Sequence, residues 1–226
     1  MAVFQLKEVS PPGPDDPIHW TYDRAEVLAD GIVHAVGVCL GLVGAIGLFM
    51  FRPSTAIDTH LIAVYAVGLI MTLGMSATYN LWPVSPRKWL LRRFDHSAIY
   101  LLIAATYTPF VSQIRDREFA ITFLIVVWTA AVAGAILKLS LPGRFDRLSI
   151  GLYLAMGWSG VLAYEKAADA LSSSTLILIA AGGALYTLGV CFHSWERLRF
   201  QNAIWHGLVL VAAGCHFAAV VGLITA

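Results

Sequence analysis

The sequence contains few charged residues. Asp, Glu, Lys and Arg make up 13% of its 226 residues, about half the share of an ordinary soluble domain. The net charge is +1, which gives no reason to expect nucleic acid as a partner. Cysteine is also scarce. The three cysteines have no CxxC spacing, which argues against a disulfide framework and against a cysteine metal site.

What is abundant is apolar sequence, at 58% of the residues. It is gathered in runs of the length that a helix needs to cross a bilayer, about 20 residues. Buried helices of a soluble protein would need a polar face, and these runs have almost none. We therefore predict an all-α bundle of seven transmembrane helices over residues 26–226, with membrane lipid as its surroundings and no identifiable protein partner. The predicted spans are 27–50, 59–82, 96–114, 119–138, 148–168, 174–192 and 203–225.

The first 25 residues form a polar tail that contains the string PPGPDDP, which favours turns over a targeting helix. We expect no cleavable signal peptide, so the first apolar helix would direct insertion. Eleven of the Lys and Arg residues lie in this tail and in the second, fourth and sixth connectors, and four lie on the other side. The eleven are Lys7, Arg24, Arg87, Lys88, Arg92, Arg93, Lys138, Arg144, Arg147, Arg197 and Arg199. Because basic residues stay inside, we predict a multi-pass protein of the plasma (inner) membrane with a cytoplasmic N-terminus and an outside C-terminus.

Ionisable and amide side chains inside the predicted spans are costly and need an explanation. They form four groups, each near the cytoplasmic end of its helix: Glu26, Asp30 and His34; Ser76 and Asn80; Asp95 and His96; Asn202 and His206. Taken singly, each group has a plain interpretation as a helix cap or an interhelical hydrogen bond. As a set that reaches one depth from four helices, they favour a functional site.

Several strings resemble the haemolysin III family, part of the larger group that holds the progestin and adiponectin receptors. RRFDHSAIYLLIAATYTPF (92–110) is similar to the family's third helix, and EVLADGIVHAVG (26–37) to its first. SATYN (76–80) and AIWHGLVLVAAGCHF (203–217) resemble the second and the last. The resemblance covers the chain beyond the tail and implies seven helices with a cytoplasmic N-terminus.

The resemblance also implies a zinc site near the cytoplasmic side, of the kind that related alkaline ceramidases and receptors use to hydrolyse a lipid amide. Ser76, Asp95 and His206 match its pattern. Asn80 and Asn202 stand where the resemblance implies histidines. An amide oxygen is a hard ligand and suits Mg, Ca or Mn better than zinc. Three alternatives for the cofactor therefore remain: zinc, another divalent metal, or no metal. Glu26, Asp30 or His34 on the first helix would bring the number of metal ligands back to three if their side chains point inward.

Two hypotheses follow. In the first, the protein is a metal-dependent hydrolase of lipid amide or ester bonds, with Asp95 as general base, His206 and Asp95 as ligands, and Ser76 as a supporting or oxyanion group. In the second, it is a non-catalytic sensor, receptor-like or structural protein, in which Asn80 and Asn202 hydrogen-bond each other. A lytic activity, suggested only by the family's name, and a proton-linked transporter rank below both.

Overall fold

The computed structural model describes residues 22–51, 58–141, 146–195 and 197–225, and these residues contain no strand. Most of the predicted polar tail, 1–25, therefore lies outside the described residues. The described chain forms eight α-helices and one short 3₁₀ helix. The α-helices are α1 (Arg24–Met50), α2 (Thr59–Leu81), α3 (Pro86–Val111), α4 (Arg117–Ser140), α5 (Asp146–Trp158), α6 (Tyr164–Ala168), α7 (Ser173–His193) and α8 (Gln201–Thr225).

Five of these helices, α1, α2, α4, α7 and α8, are long and apolar enough to cross a membrane. Their bounds differ from the predicted ones by three residues or fewer. On α1 a row of apolar side chains faces outward at every third or fourth position: Leu28, Ile32, Val36, Leu40 and Val43. An outer surface this apolar is typical of helices that contact lipid. The all-helical fold and its membrane character are confirmed.

The third helix begins ten residues before the predicted span 96–114, at Pro86. Proline suits the first position of a helix, because the amide hydrogen that it lacks would have no partner there. Lys88 then reaches back to α2 and donates from Nζ to the carbonyl oxygens of Asn80 (3.0 Å) and Trp82 (2.9 Å). The basic stretch predicted as a connector is therefore a helical turn that satisfies the exposed end of α2.

The fifth predicted span, 148–168, is interrupted in the middle. After α5 the chain tightens into the 3₁₀ helix Ser159–Ala163 before α6 begins. The hydroxyl of Tyr107 donates to the carbonyl oxygen of Gly157 (2.6 Å) and accepts from the amide of Gly160 (2.7 Å). A side chain from α3 thus satisfies two backbone groups that an unbroken α-helix would pair with residues four positions away.

Glycine allows several close contacts between helices, and two of them bear on the packing of aromatic rings. A Cβ atom on Gly134 of α4 would lie 2.6 Å from the ring of Tyr100, which is fully buried. A Cβ atom on Gly182 of α7 would lie 2.5 Å from the ring of His216 on α8. His216 uses this space to donate from Nε2 to the carbonyl oxygen of Ile179 (3.2 Å). His216 therefore contributes to the packing of α7 on α8.

Candidate functional site

The site is built around two residues one turn apart on α1. Asp30 and His34 are both buried, each with 6% of its surface exposed. The ring of His34 donates from Nδ1 to the backbone carbonyl oxygen of Asp30 (2.8 Å). Because a carbonyl oxygen only accepts, the hydrogen must lie on Nδ1. In the neutral ring Nε2 then carries the free lone pair.

The last helix brings a second imidazole to the same carboxylate. Nδ1 of His206 donates to Oδ1 of Asp30 (2.6 Å), and Nδ1 of His34 lies 3.5 Å from the same oxygen. The two rings meet edge to face with their centroids 4.4 Å apart. Asp30 is therefore the centre of the cluster, because it contacts both histidines.

Helix α2 supplies the polar groups that face the lone pair of His34. Nε2 of His34 lies 3.2 Å from the hydroxyl oxygen of Ser76 and 3.4 Å from the amide nitrogen of Asn80. The Asn80 amide also donates to the Ser76 carbonyl oxygen (2.9 Å), one turn back on its own helix. These contacts fix the orientation of the His34 ring.

Asp95 reaches the site from α3. It is buried, with 7% of its surface exposed, and its carboxyl group lies beside the hydroxyl of Ser76. Ser76 therefore lies between the ring of His34 and the carboxyl group of Asp95. Its single hydrogen can serve only one of them at a time, so this side chain links the α1 cluster to the α3 carboxylate.

Asp30, His34 and His206 fit a divalent metal. Each offers one ligand atom, and the three atoms lie within 4.8 Å of one another. One carboxylate and two imidazoles form a ligand set known from catalytic zinc sites, which leave one position open. His34 also donates its second ring nitrogen to a carbonyl, a contact that metal-bound histidines commonly make.

Two of the other predicted site residues have different surroundings. Glu26 faces the turn before α8: it accepts from the amide of Asp23 in a capping box and from the amide of Phe200, each at 2.9 Å. Asn202 lines the cavity described below, and within the described ranges no hydrogen bond joins it to Asn80. The hydrogen-bonded Asn pair of the second hypothesis is therefore not formed.

A cavity of about 1790 Å³ extends from this cluster along the bundle. Asp30, His34, Ser76, Asn80, Asp95 and His206 all line it at one end. Towards the other end its wall is apolar and includes Leu73, Ile103, Phe110, Leu171, Leu176 and Val209. A polar end joined to a long apolar wall matches the shape of an amphiphile.

A buried ion cluster beside this cavity was not singled out from the sequence. Asp146, at the start of α5, accepts from Lys138 Nζ (2.6 Å) and from Arg92 Nη2 (2.7 Å). Lys138 is a cation near the end of α4, after a long uncharged stretch of that helix, and is almost fully buried. Its position in the sequence was the available signal, because a lysine in an apolar helix needs a partner.

Comparison with known proteins identifies the family. The family model described as "Haemolysin-III related" matches residues 24–217. A "Hemolysin-3 homolog" of Bacillus subtilis (strain 168) is 33% identical over 194 residues, which cover 85% of this chain and 91% of the relative. "Hemolysin-3" of Bacillus cereus is 34% identical over 194 residues, covering 85% and 89%.

A more distant similarity reaches a plant protein. The "Heptahelical transmembrane protein ADIPOR2" of Oryza sativa subsp. japonica is 32% identical over 184 residues, covering 70% of this chain and 79% of the relative. These matches agree with the helical, multi-pass fold and with the motifs on the first, second, third and last helices. The chain belongs to the haemolysin III family, within the superfamily of the progestin and adiponectin receptors.

Proposed function

We propose that this protein is a metal-dependent hydrolase of amide or ester bonds in membrane lipids. The observation that carries the proposal is the placement of Asp30, His34 and His206 next to Asp95, at the polar end of a large cavity with apolar walls. The proposal includes a seven-span domain over residues 26–226, in which α3 and the interrupted α5–α6 segment are the spans beyond the five apolar ones. It also includes a cytoplasmic tail (1–25), a plasma-membrane location and a site near the cytoplasmic leaflet, as the distribution of Lys and Arg favours.

Asp30, His34 and His206 would hold the metal ion, with zinc the best match to the ligand set. A zinc ion held there would supply Lewis acidity to the carbonyl group and acidify water at neutral pH. This ligand set replaces the pair His206 and Asp95 of the first hypothesis and leaves Asp95 for proton transfer.

Asp95 is the group placed to move the proton. Its carboxylate takes a proton from the water that attacks the acyl carbon, and then returns it to the amine or alcohol as the C–N or C–O bond breaks. Ser76 lies beside Asp95 and 3.2 Å from Nε2 of His34, so its hydroxyl can orient that carboxylate and donate its hydrogen to Asp95 or to His34. The apolar wall of the cavity holds the acyl chain and excludes water from it.

Metal content tests whether the site holds a metal ion. The full chain, purified in a neutral detergent, should carry about one equivalent of a divalent metal, and His206→Ala should lose it. His60→Ala is the matched control, because His60 is exposed at the start of α2. Less than about a tenth of an equivalent in the wild type, after exposure to zinc, would refute the metal site.

Turnover tests whether the protein hydrolyses lipids. Fatty acid released from N-acyl and O-acyl lipids should fall by a factor of about 100 or more in Asp95→Asn, with metal content unchanged. Asp116→Asn is the control, since Asp116 pairs with Lys166 (2.7 Å) in an exposed contact away from the site.

A non-catalytic role is the second candidate, and one observation favours it. Asp30, His34 and His206 hydrogen-bond or contact one another directly, which would make the cluster a stabilising interhelical contact. This role predicts that His206→Ala lowers the melting temperature and that no lipid is hydrolysed. Loss of turnover in Asp95→Asn at an unchanged melting temperature would contradict it.

A further inference from the structure

The ion cluster of Arg92, Lys138 and Asp146 joins three helices beside the candidate site. Both oxygens of Asp146 are used, one by each cation, at 2.6 and 2.7 Å. The Lys138 side chain is 3% exposed and that of Arg92 is 11% exposed, so both cations are removed from bulk solvent. All three residues line the large cavity.

The cluster is not electrically balanced. Two cations share one carboxylate, which leaves one positive charge in excess. Burial acts to raise the pKa of Asp146, but the hydrogen bonds from Lys138 and Arg92 outweigh it and hold the pKa at about 2. The carboxylate is therefore ionised at neutral pH and the excess positive charge is present. A buried charge without a counterion is unfavourable, so this excess charge favours a bound anion.

Nearby charged groups of the described chain do not cancel the excess. Asp95 is attracted by His206 and by Arg92, but in the described residues the ion pairs of Arg92 and Lys138 go to Asp146 and not to Asp95.

Donor groups remain for a ligand. In its described contacts Arg92 uses one of its five N–H groups and Lys138 one of its three. A guanidinium next to an ammonium suits the tetrahedral oxygens of a phosphate, which accept several charge-assisted hydrogen bonds at once. The apolar wall of the same cavity adds room for acyl chains.

We propose that Arg92 and Lys138 form a subsite for the phosphate group of an anionic membrane lipid whose acyl chain lies in the cavity. The inference rests on the proposed function in one respect. If the protein is a lipid hydrolase, this subsite implies that the hydrolysed lipid carries a phosphate headgroup. Binding itself needs neither the metal nor turnover.

Lipid retention by the full chain in a neutral maltoside detergent tests this, with native mass spectrometry as the readout. Dioctanoyl phosphatidic acid and dioctanoylglycerol have the same chains and differ in the phosphate. We expect the wild type to bind the phosphatidic acid at least about tenfold more tightly, as one charge-assisted hydrogen bond would give. Equal affinity for the two lipids would overturn the proposal.

Two substitutions should move this preference in opposite directions. Arg92→Gln keeps Asp146 paired with Lys138 and removes the excess charge, so the preference should fall about tenfold. Asp146→Asn adds one unit of positive charge and frees donors, so the preference should rise. Lys166→Gln, which breaks an exposed Lys–Asp pair of the same 2.7 Å length, should leave it unchanged.

The outcomes separate the ligand sources and the two proposals. If inorganic phosphate competes at the concentration of the lipid, the site binds free phosphate and the lipid assignment is wrong. If Asp146→Asn weakens binding as Arg92→Gln does, with melting temperatures unchanged, the charge argument is wrong. Retained preference in a protein that holds no metal would refute the hydrolase and leave the subsite standing, whereas turnover of neutral lipids alone would do the reverse.

Discussion

Replacing Glu26 by alanine should weaken metal binding, although Glu26 contacts neither histidine. Its two carboxylate oxygens hold two parts of the chain together: Oε2 accepts from the amide of Asp23, and Oε1 from the amide of Phe200, each at 2.9 Å. Phe200 has a φ of 59°, in the left-handed region that a phenylalanine rarely adopts, and it immediately precedes α8. The hydrogen bond from Phe200 therefore fixes the start of α8, and so the position of His206 relative to Asp30.

The size of the effect follows from these two bonds. The capping bond at the exposed start of α1 contributes about 1 kcal/mol. The half-buried bond to Phe200, with a charged acceptor, contributes about 1.5 kcal/mol. Glu26→Ala should therefore lower the free energy of unfolding by about 2–3 kcal/mol, or the melting temperature by roughly 5–10 °C for a chain of this size. Glu26→Gln keeps one acceptor oxygen and should lose about half as much.

Thermal melting in detergent and zinc affinity by chelator competition are the two measurements. Zinc affinity should fall in the order wild type, Glu26→Gln, Glu26→Ala, because the α8 ligand loses its fixed position. Arg199→Gln is the control: it breaks the Asp23–Arg199 pair (3.1 Å) of the same region, which is exposed and contributes little. An unchanged zinc affinity in a destabilised Glu26→Ala protein would refute the positioning role.

Three further predictions concern the ligand set, the packing and the ion cluster. Asp30→Asn should weaken zinc binding at least about tenfold with a small change in melting temperature, because the amide keeps the shape but not the charge; equal affinity would remove Asp30 from the ligand set. Gly134→Ala should destabilise the protein by about 1–3 kcal/mol in a melting assay, because the new Cβ meets the buried Tyr100 ring. Gly74→Ala is the control: its Cβ meets nothing within 4 Å, so it should be neutral or stabilising in the same assay. Because the folded-state pKa of Asp146 is about 2 and the unfolded value about 3.9, its ionisation stabilises the fold above about pH 4. The difference in melting temperature between wild type and Asp146→Asn should be constant from pH 7 to about 5 and shrink as the pH falls towards 2.

The apolar helices could be predicted from sequence because length and apolarity alone determine them. The two departures come from contacts that no local pattern shows. Residues 86–95 have the sequence of a basic connector, yet they form the first turns of α3. Lys88 in this stretch donates to a carbonyl oxygen at the end of α2. The break after α5 depends on the hydroxyl of Tyr107, some 50 residues earlier in the chain.

The candidate site shows the same division. Spacing of four residues and span length were enough to bring the polar groups to one depth. Which of these polar groups contact each other depends on how each helix is rotated about its axis. A spacing of four residues does not reveal that rotation. Glu26, Asp30 and His34 share one face of α1, yet Glu26 serves the α8 turn while the other two face His206.

The pair Asp30 and His206 has one more consequence, for the order in which the molecule is completed. These residues are 176 positions apart, on the first and last long helices of the described chain. During synthesis, α1 enters the membrane long before α8 exists, so the metal ligands can meet only when nearly the whole chain has been made. A bound ion would then link the first and last long helices of the described chain and would close a loop of 176 positions.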